Sequence, residues 1–144
     1  MPRTMLKPKT TTSTIVPEMD DRELAQVLSI GRLGIGLALF VAPSRALRAW
    51  TGDEDPSFGA RMAARGLGAR DMAIAIGTLV ALDARGSGGA VRGWIEAGVM
   101  ADASDTVGAL VQWRDLPRLR RLLALFTSGG AVILGLRLAE ALDD

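Results

Sequence analysis

The sequence predicts an all-α protein: a four-helix transmembrane bundle with a polar N-terminal arm and a short interfacial helix after the first span. Apolar residues fill 49% of the 144 positions, 17 positions are glycine, and aromatic residues contribute only 4%. A glycine inside a soluble helix costs about 1 kcal/mol relative to alanine, whereas helices in lipid use small residues to approach closely. The composition therefore favours a membrane bundle, with a soluble helical oligomer as the alternative.

Composition also excludes several kinds of functional site. The chain has no histidine and no cysteine, so zinc, haem and iron–sulfur centres lack their usual ligands. A serine nucleophile likewise has no histidine base. The net charge is +1, and the basic residues do not form a stripe with interleaved aromatic residues. We therefore expect no cofactor, no metal and no nucleic-acid partner.

Residues 1–20 are predicted to form an extended or flexible arm, and residues 21–144 the bundle. The arm is polar, carries three prolines and shows no helical period. No apolar segment follows its basic residues until after Asp20 and Asp21, so we expect neither cleavage as a signal peptide nor export. Two roles remain open for the arm: a disordered tail, and a segment that lies along a partner subunit.

The first long helix is predicted to begin near Asp20 or Asp21 and to end at Pro43. Acidic residues in its first turn suit the helix dipole, and about 20 mostly apolar residues match a bilayer core of about 30 Å. Only Arg32 interrupts this run. The helix also carries small residues that we expect to form a packing face: Gly31, Gly34 and Ala38.

Three further long helices and one short helix are predicted. Residues 44–50 form the short interfacial helix, with arginines towards headgroups and Leu47 and Trp50 towards lipid. The long helices run from Phe58 to about Leu82, from about Val91 to Trp113, and from Pro117 to beyond Leu136. Within the last of them, Gly129 and Gly130 indicate a close-packing point or a kink. Three tryptophans near predicted helix ends are typical of interfacial anchors: Trp50, Trp94 and Trp113.

Charged residues within the predicted spans form the candidate site. Asp102 and Asp105 share one face of the third long helix, because they are three residues apart. Ionisable groups at bilayer depth are costly unless they are paired, so they face the bundle interior. We expect Asp102 and Asp105 to meet Arg65, with Arg32 or Arg61 as further partners. Asp71 is expected to pair with another arginine, and Arg70 to extend towards headgroups.

Four roles are open for this ion cluster. Its ion pairs can fix the register of the helices, or surplus arginine can bind a small anion or a lipid headgroup. Asp102 and Asp105 can also form part of a proton or ion path, or divide the roles of acid and base in catalysis. No other feature of the chain indicates substrate recognition, so we assign no catalytic residue.

Two short motifs, together with Trp94 between them, resemble those of a known group of proteins. Gly68-Ala-Arg-Asp71 in the second long helix and Asp102-Ala-Ser-Asp105 in the third resemble a family of small, uncharacterised four-helix membrane proteins of high-GC bacteria. The resemblance covers most of the chain from Asp20 to Leu138. Size and helix count are also similar to DoxX-like membrane proteins, although no motif matches them. The resemblance implies a multi-pass protein of the bacterial cytoplasmic membrane and supplies no substrate.

The function expected from the sequence is that of a non-catalytic membrane protein. It is an accessory or scaffold subunit of a larger membrane assembly, or a self-associating bundle. Its expected partners are membrane lipid and either other membrane subunits or a second copy of itself. The alternatives are a binder or transporter of a small anionic or lipid-like molecule in an Arg/Asp-lined cavity, and an enzyme that uses Asp102 and Asp105.

Overall fold

The computed structural model describes residues 19–84, 88–114 and 116–142, and within these ranges it contains helices and no strand. The all-α prediction is therefore confirmed. Most of the predicted arm lies outside the described residues, as does the middle of the predicted turn between residues 83 and 89. The described helices are α1 (Asp21–Val41), α2 (Pro43–Thr51), α3 (Phe58–Asp83), α4 (Gly88–Val111) and α5 (Arg118–Ala141).

Local sequence explains where α1 and α2 begin and end. Asp20 caps α1 by accepting a hydrogen bond from the Glu23 amide at 2.7 Å, and the Glu23 side chain accepts from the Asp20 amide. Pro43 ends α1 and occupies the first position of α2, where its missing N–H is not needed. Gly52 ends α2 with φ +84°, a left-handed conformation that favours glycine.

The later helices follow the predicted boundaries to within a few residues. The Ser57 hydroxyl caps α3 by accepting from the Ala60 amide at 3.1 Å. Pro117 precedes the first residue of α5 and does not lie in its first turn. Inside α5, residues Leu125–Gly129 form a π-helical turn. The predicted irregularity near Gly129 and Gly130 is therefore this turn and not a packing point, because nothing lies within 4 Å of a Cβ built on either glycine.

Glycines set the closest contacts between the helices. A Cβ on Gly36 of α1 would lie 2.8 Å from the Gly68 carbonyl oxygen of α3, and one on Gly68 would lie 2.5 Å from the Gly36 oxygen. Gly77 of α3 faces the Trp94 ring of α4. At the α4–α5 contact, Gly135 faces a methyl group of Val99. The helix order in space is therefore α1, α3, α4, α5, with glycine at each contact.

The small face predicted on α1 is not the one that packs. Gly31, Gly34 and Ala38 are exposed, and nothing lies within 4 Å of a Cβ built on Gly31 or Gly34. The reason is that two backbones approach most closely where both helices lack a side chain, and Gly68 of α3 lies opposite Gly36.

Large and small side chains are distributed in the reverse of a soluble bundle. In the described part of the chain, seven of the eleven buried hydrophobic residues are alanine. The apolar core lies at the end where α1 begins, and all four long helices contribute to it: Ala25, Ala81, Val91, Ile95, Leu138 and Ala139. Many large apolar side chains instead point outward, such as Val41 at 68% exposed and Phe126 at 76%.

Two helices, α1 and α5, are long and apolar enough to cross a membrane. The most apolar 18-residue window of each has a mean hydropathy of 1.8, and only 17% of each window is buried within the molecule. The core helix of a soluble protein reaches similar hydropathy but is mostly buried. The apolar residues of α1 and α5 therefore face the surroundings of the bundle.

The contact between Gly36 and Gly68 gives a stability prediction. Gly36→Ala or Gly68→Ala places a methyl group against backbone that cannot move aside, and we expect each to lower the free energy of unfolding by about 1–3 kcal/mol. Gly34→Ala is the matched control, because its methyl group meets nothing. Denaturation followed by circular dichroism measures the free energy of unfolding of each variant. Equal effects of Gly34→Ala and Gly36→Ala would contradict the close contact.

Candidate functional site: a charged layer across the bundle

Five charged side chains meet near the middle of three helices. We call them the charged layer: Arg32 of α1, Arg70 and Asp71 of α3, and Asp102 and Asp105 of α4. Each lies well away from the ends of its helix. Their ion pairs link neighbouring helices, and Arg70 and Asp71 are also paired within α3.

Arg32 joins α1 to both of the other helices. It shares the packed face of α1 with Ser29 and Gly36, at helical spacing. Its Nη1 donates to Asp71 Oδ1 of α3 at 3.4 Å, and its Nη2 donates to Asp102 Oδ2 of α4. One guanidinium therefore connects three helices at a single level.

Arg70 joins α3 to α4. Its two terminal nitrogens bind both oxygens of Asp105, Nη1 to Oδ1 at 3.1 Å and Nη2 to Oδ2 at 2.8 Å. Its Nε and Nη2 also donate to Asp71 Oδ1, at 3.2 Å and 3.0 Å. Asp71 Oδ1 thus accepts from both arginines, and the charged layer is one continuous network. A bidentate arginine–carboxylate pair adds geometric specificity to the attraction.

Burial differs across the charged layer. Asp71 and Asp102 are buried, whereas the side chains of Arg70 and Asp105 remain 30% and 39% exposed. No buried side-chain nitrogen or oxygen among the described residues lacks a hydrogen-bond partner. Removing one partner of a buried pair strands the other charge, which costs far more than the pair contributes. The buried half of the layer is therefore sensitive to single substitutions.

Hydroxyl groups extend the polar level to α5. Thr106 Oγ1 of α4 lies 2.7 Å from the Asp102 carbonyl oxygen and 2.9 Å from Ser128 Oγ. Ser128 lies in the π-helical turn and donates to the Ala124 carbonyl at 2.7 Å. The sequence analysis did not single out Ser128, so its contact with Thr106 is an additional finding. All four long helices therefore have a polar group at this level.

The charged layer contains four of the six predicted cluster residues. The other two, Arg61 and Arg65, lie outside it, and Arg70 takes part in their place. Arg32, Asp71, Asp102 and Asp105 lie in the charged layer, whereas the predicted partner Arg65 forms no ion pair within the described residues. Two further differences concern neighbouring arginines. Arg61 donates to the Pro56 carbonyl oxygen, and Arg70 binds Asp105 and does not extend towards headgroups.

Helix geometry explains this exchange of arginines. At about 100° per residue, Arg65 and Asp71 lie roughly 60° to opposite sides of Gly68, the residue that packs on α1. Arg70 lies on the far side of α3, with Gly77, which faces α4. A helical wheel with one interior face places Arg70 outside, but α3 has neighbours on two sides. The signal that could have identified Arg70 is its seven-residue spacing to Gly77.

The charged layer contains three carboxylates and two guanidinium groups. The surplus of arginine that would attract an anion is therefore not found within it. No group of three or more acidic residues in the described ranges is arranged to hold a metal ion. Two surface clefts, of about 640 and 510 Å³, lie beside the first turn of α1, and no member of the charged layer lines them.

The three predicted tryptophan anchors lie near helix ends. Trp50 lies in the last turn of α2, and Trp113 follows α4 at the same end of the bundle. Trp94 lies in the second turn of α4, at the opposite end, where its ring packs on Gly77. The Arg121 guanidinium lies 5.4 Å from the centre of the Trp113 ring, within the range of a cation–π contact.

Comparison of the chain with protein-family models, with curated proteins and with solved structures finds no match. The role of the charged layer is therefore inferred from its own geometry.

Removing Arg32 tests whether the charged layer stabilises the bundle. Arg32→Gln leaves Asp102 buried without its ion pair, and we expect it to lower the free energy of unfolding by about 3 kcal/mol. Arg65→Gln is the control and should change it by less than about 0.5 kcal/mol. The double variant Arg32→Gln/Asp102→Asn should recover part of the loss, because the stranded charge is gone. Equal losses for Arg32→Gln and Arg65→Gln would refute the assignment.

Proposed function

We propose that the chain is a multi-pass integral membrane protein, with α1, α3, α4 and α5 all crossing the bilayer and α2 lying at its surface. Its role is non-catalytic, as an accessory or scaffold subunit of a membrane assembly or as a self-associating bundle. The observation that carries this proposal is the reversed distribution of side chains. Large apolar groups cover the outside, while alanine, glycine and paired charges fill the inside.

Helix length supports a span for α3 and α4 as well as for α1 and α5. They contain 26 and 24 residues, which correspond to about 39 Å and 36 Å at 1.5 Å per residue. Both lengths exceed the bilayer core of about 30 Å. Their hydropathy is lowered by charges that meet one another inside the bundle, and such pairing is how ionisable groups are tolerated at bilayer depth.

A non-catalytic role agrees with the state of the carboxylates. Asp71, Asp102 and Asp105 each accept hydrogen bonds from an arginine, and neither surface cleft reaches them. A general base needs a free lone pair directed at a substrate. Ion pairs that fix helix register need only the partners that are present. The resemblance noted from the sequence is the basis for proposing the bacterial cytoplasmic membrane as the location.

Helix α1 has a surface that is a candidate for contact with another subunit. Gly31 and Gly34 are exposed and lie three residues apart, and a Cβ built on either meets no atom within 4 Å. Small residues on an exposed helix face let a second helix approach closely in lipid. A partner subunit or a second copy would find its closest approach here.

Single-cysteine labelling tests the four-span arrangement, because the natural chain has no cysteine and gives no background. We expect Asp53→Cys and Gln112→Cys to react with a membrane-impermeant maleimide from one side of the membrane. Met19→Cys and Ala84→Cys should react only from the other side. If α1 and α5 alone cross, Ala84→Cys will react with the first pair. Loss of the protein from the membrane in a carbonate wash would refute the membrane location itself.

A substitution on the exposed face of α1 tests the assembly role. Gly31→Leu/Gly34→Leu should abolish association with a second copy or with a stoichiometric partner, because the bulky side chains block close approach of a helix. The mass of the purified particle in mild detergent, measured by light scattering, reports this loss. Helix content should stay constant, since neither position contacts the bundle. A wild-type protein that is monomeric and carries no partner would contradict the scaffold role.

A further inference from the structure

One end of the bundle carries a concentration of arginine that forms no ion pair among the described residues. It comprises α2, the end of α4 and the start of α5, and we call its arginines the arginine collar: Arg45, Arg48, Arg114, Arg118, Arg120 and Arg121. The carboxylates described at this end belong to three consecutive loop residues, Asp53, Glu54 and Asp55. Within the described ranges, none of them lies within 4.0 Å of a collar arginine as an ion pair.

The collar arginines that have partners within the molecule bind carbonyl oxygens. Arg48 donates to the Glu54 carbonyl at 3.1 Å, and Arg121 donates to the Leu116 carbonyl at 2.6 Å. A carbonyl oxygen satisfies one N–H of a guanidinium group, which has five, and it carries no net charge. Each arginine therefore keeps its positive charge and several unused donors.

Contacts between α5 and α2 make the collar one surface. Arg120 of α5 donates to the Ala49 carbonyl at 2.7 Å and to the Arg48 carbonyl at 3.2 Å. Its guanidinium group lies against Gly52, where a Cβ would come within 3.0 Å of Arg120 Cζ. The missing side chain at Gly52 therefore gives Arg120 the space to join the two helices. Arg45 and Arg118 remain exposed on either side of this junction.

Aromatic side chains lie among the arginines of this end. Trp50 is 48% exposed, and Phe58, at the start of α3, is 72% exposed. Trp113 lies under the Arg121 guanidinium. Tryptophan beside arginine is typical of the depth of lipid headgroups, where the ring meets the acyl chains and the cation meets phosphate.

The opposite end of the bundle has the reverse balance of charge. Arg22, Arg92 and Arg137 lie there among a larger number of carboxylates, and the Arg92 side chain is paired with Glu96. The carboxylates described at this end are Asp20, Asp21, Glu23, Asp83, Glu96 and Glu140. Among the described residues, arginines outnumber carboxylates at the collar end, and carboxylates outnumber arginines at the other end.

We infer that the arginine collar binds the phosphate groups of anionic phospholipids in the membrane leaflet that it faces. The inference rests on the proposed membrane location. Guanidinium groups bind phosphate oxygens through two parallel hydrogen bonds, and the collar holds several of them on one continuous surface. Basic residues next to a membrane span are attracted to anionic lipids in the same way. The collar thereby draws acidic lipids to one face of the bundle.

Fluorescence quenching by brominated lipids tests the inference in reconstituted vesicles. The variant Trp94→Phe removes the tryptophan of the opposite end, so that Trp50 and Trp113 report on the collar. The vesicles are phosphatidylcholine with a minor fraction of either brominated phosphatidylglycerol or brominated phosphatidylcholine. We expect stronger quenching by the anionic lipid. In Arg45→Gln/Arg118→Gln, the preference for it should fall by up to roughly 25-fold, because each arginine near a surface contributes about fivefold.

Arg137→Gln is the control for position, since it removes an exposed arginine from the other end. The preference for phosphatidylglycerol should survive this change. Equal quenching by both lipids in the parent protein would overturn the inference, as would a preference that persists in Arg45→Gln/Arg118→Gln. Loss of the preference in Arg137→Gln would overturn it too, because net charge would then be responsible. No quenching by either lipid would show instead that the chain does not enter the bilayer, which refutes the proposed function.

Discussion

The charged layer is the constraint on which the rest of the bundle depends. Arg32 reaches two acids on two other helices, and Arg70 completes the network. Sliding α1 by one residue would rotate Arg32 by about 100° and leave Asp102 buried without its ion pair. The same shift would also move Gly36 away from Gly68 and place a side chain against the backbone of α3. The ion pairs and the glycine contact therefore specify the same register.

Close backbone contacts make the charged layer possible. Arg32 reaches Asp71 because Gly36, one turn further along α1, allows α3 to approach at Gly68. Inside lipid, such packing draws on van der Waals contact and hydrogen bonds more than on the exclusion of water. Small residues in the interior and large apolar residues outside are therefore consistent with the same kind of helix packing. Alanine and glycine bring the helices together, and many leucine, isoleucine and phenylalanine side chains face the surroundings of the bundle.

Local signals predicted the helices well, and long-range geometry limited the prediction of the site. Pro43 and the acids at Asp20 and Asp21 act within one turn of chain, so the boundaries of α1 could be inferred from sequence. The pairing of Arg70 with Asp105 could not be inferred in this way, because it depends on α3 having neighbouring helices on two sides. Gly36 could not be distinguished from Gly31 or Gly34, since the three become different only when another helix lies opposite one of them. The contact of the π-helical turn with α4 is also long-range, since Ser128 lies 2.9 Å from Thr106.

That turn has a consequence for changes in chain length. A π-helical turn holds one residue more than the α-helical turn it replaces, so α5 carries one residue in excess of a regular helix. Loss of one residue from Leu125–Gly129 would restore a regular helix, and the residues on either side would keep their neighbours. The same loss in the middle of α1 would turn Gly36 away from Gly68. Deletion of a single residue is therefore compatible with the packing at the centre of α5 and incompatible with the packing at the centre of α1.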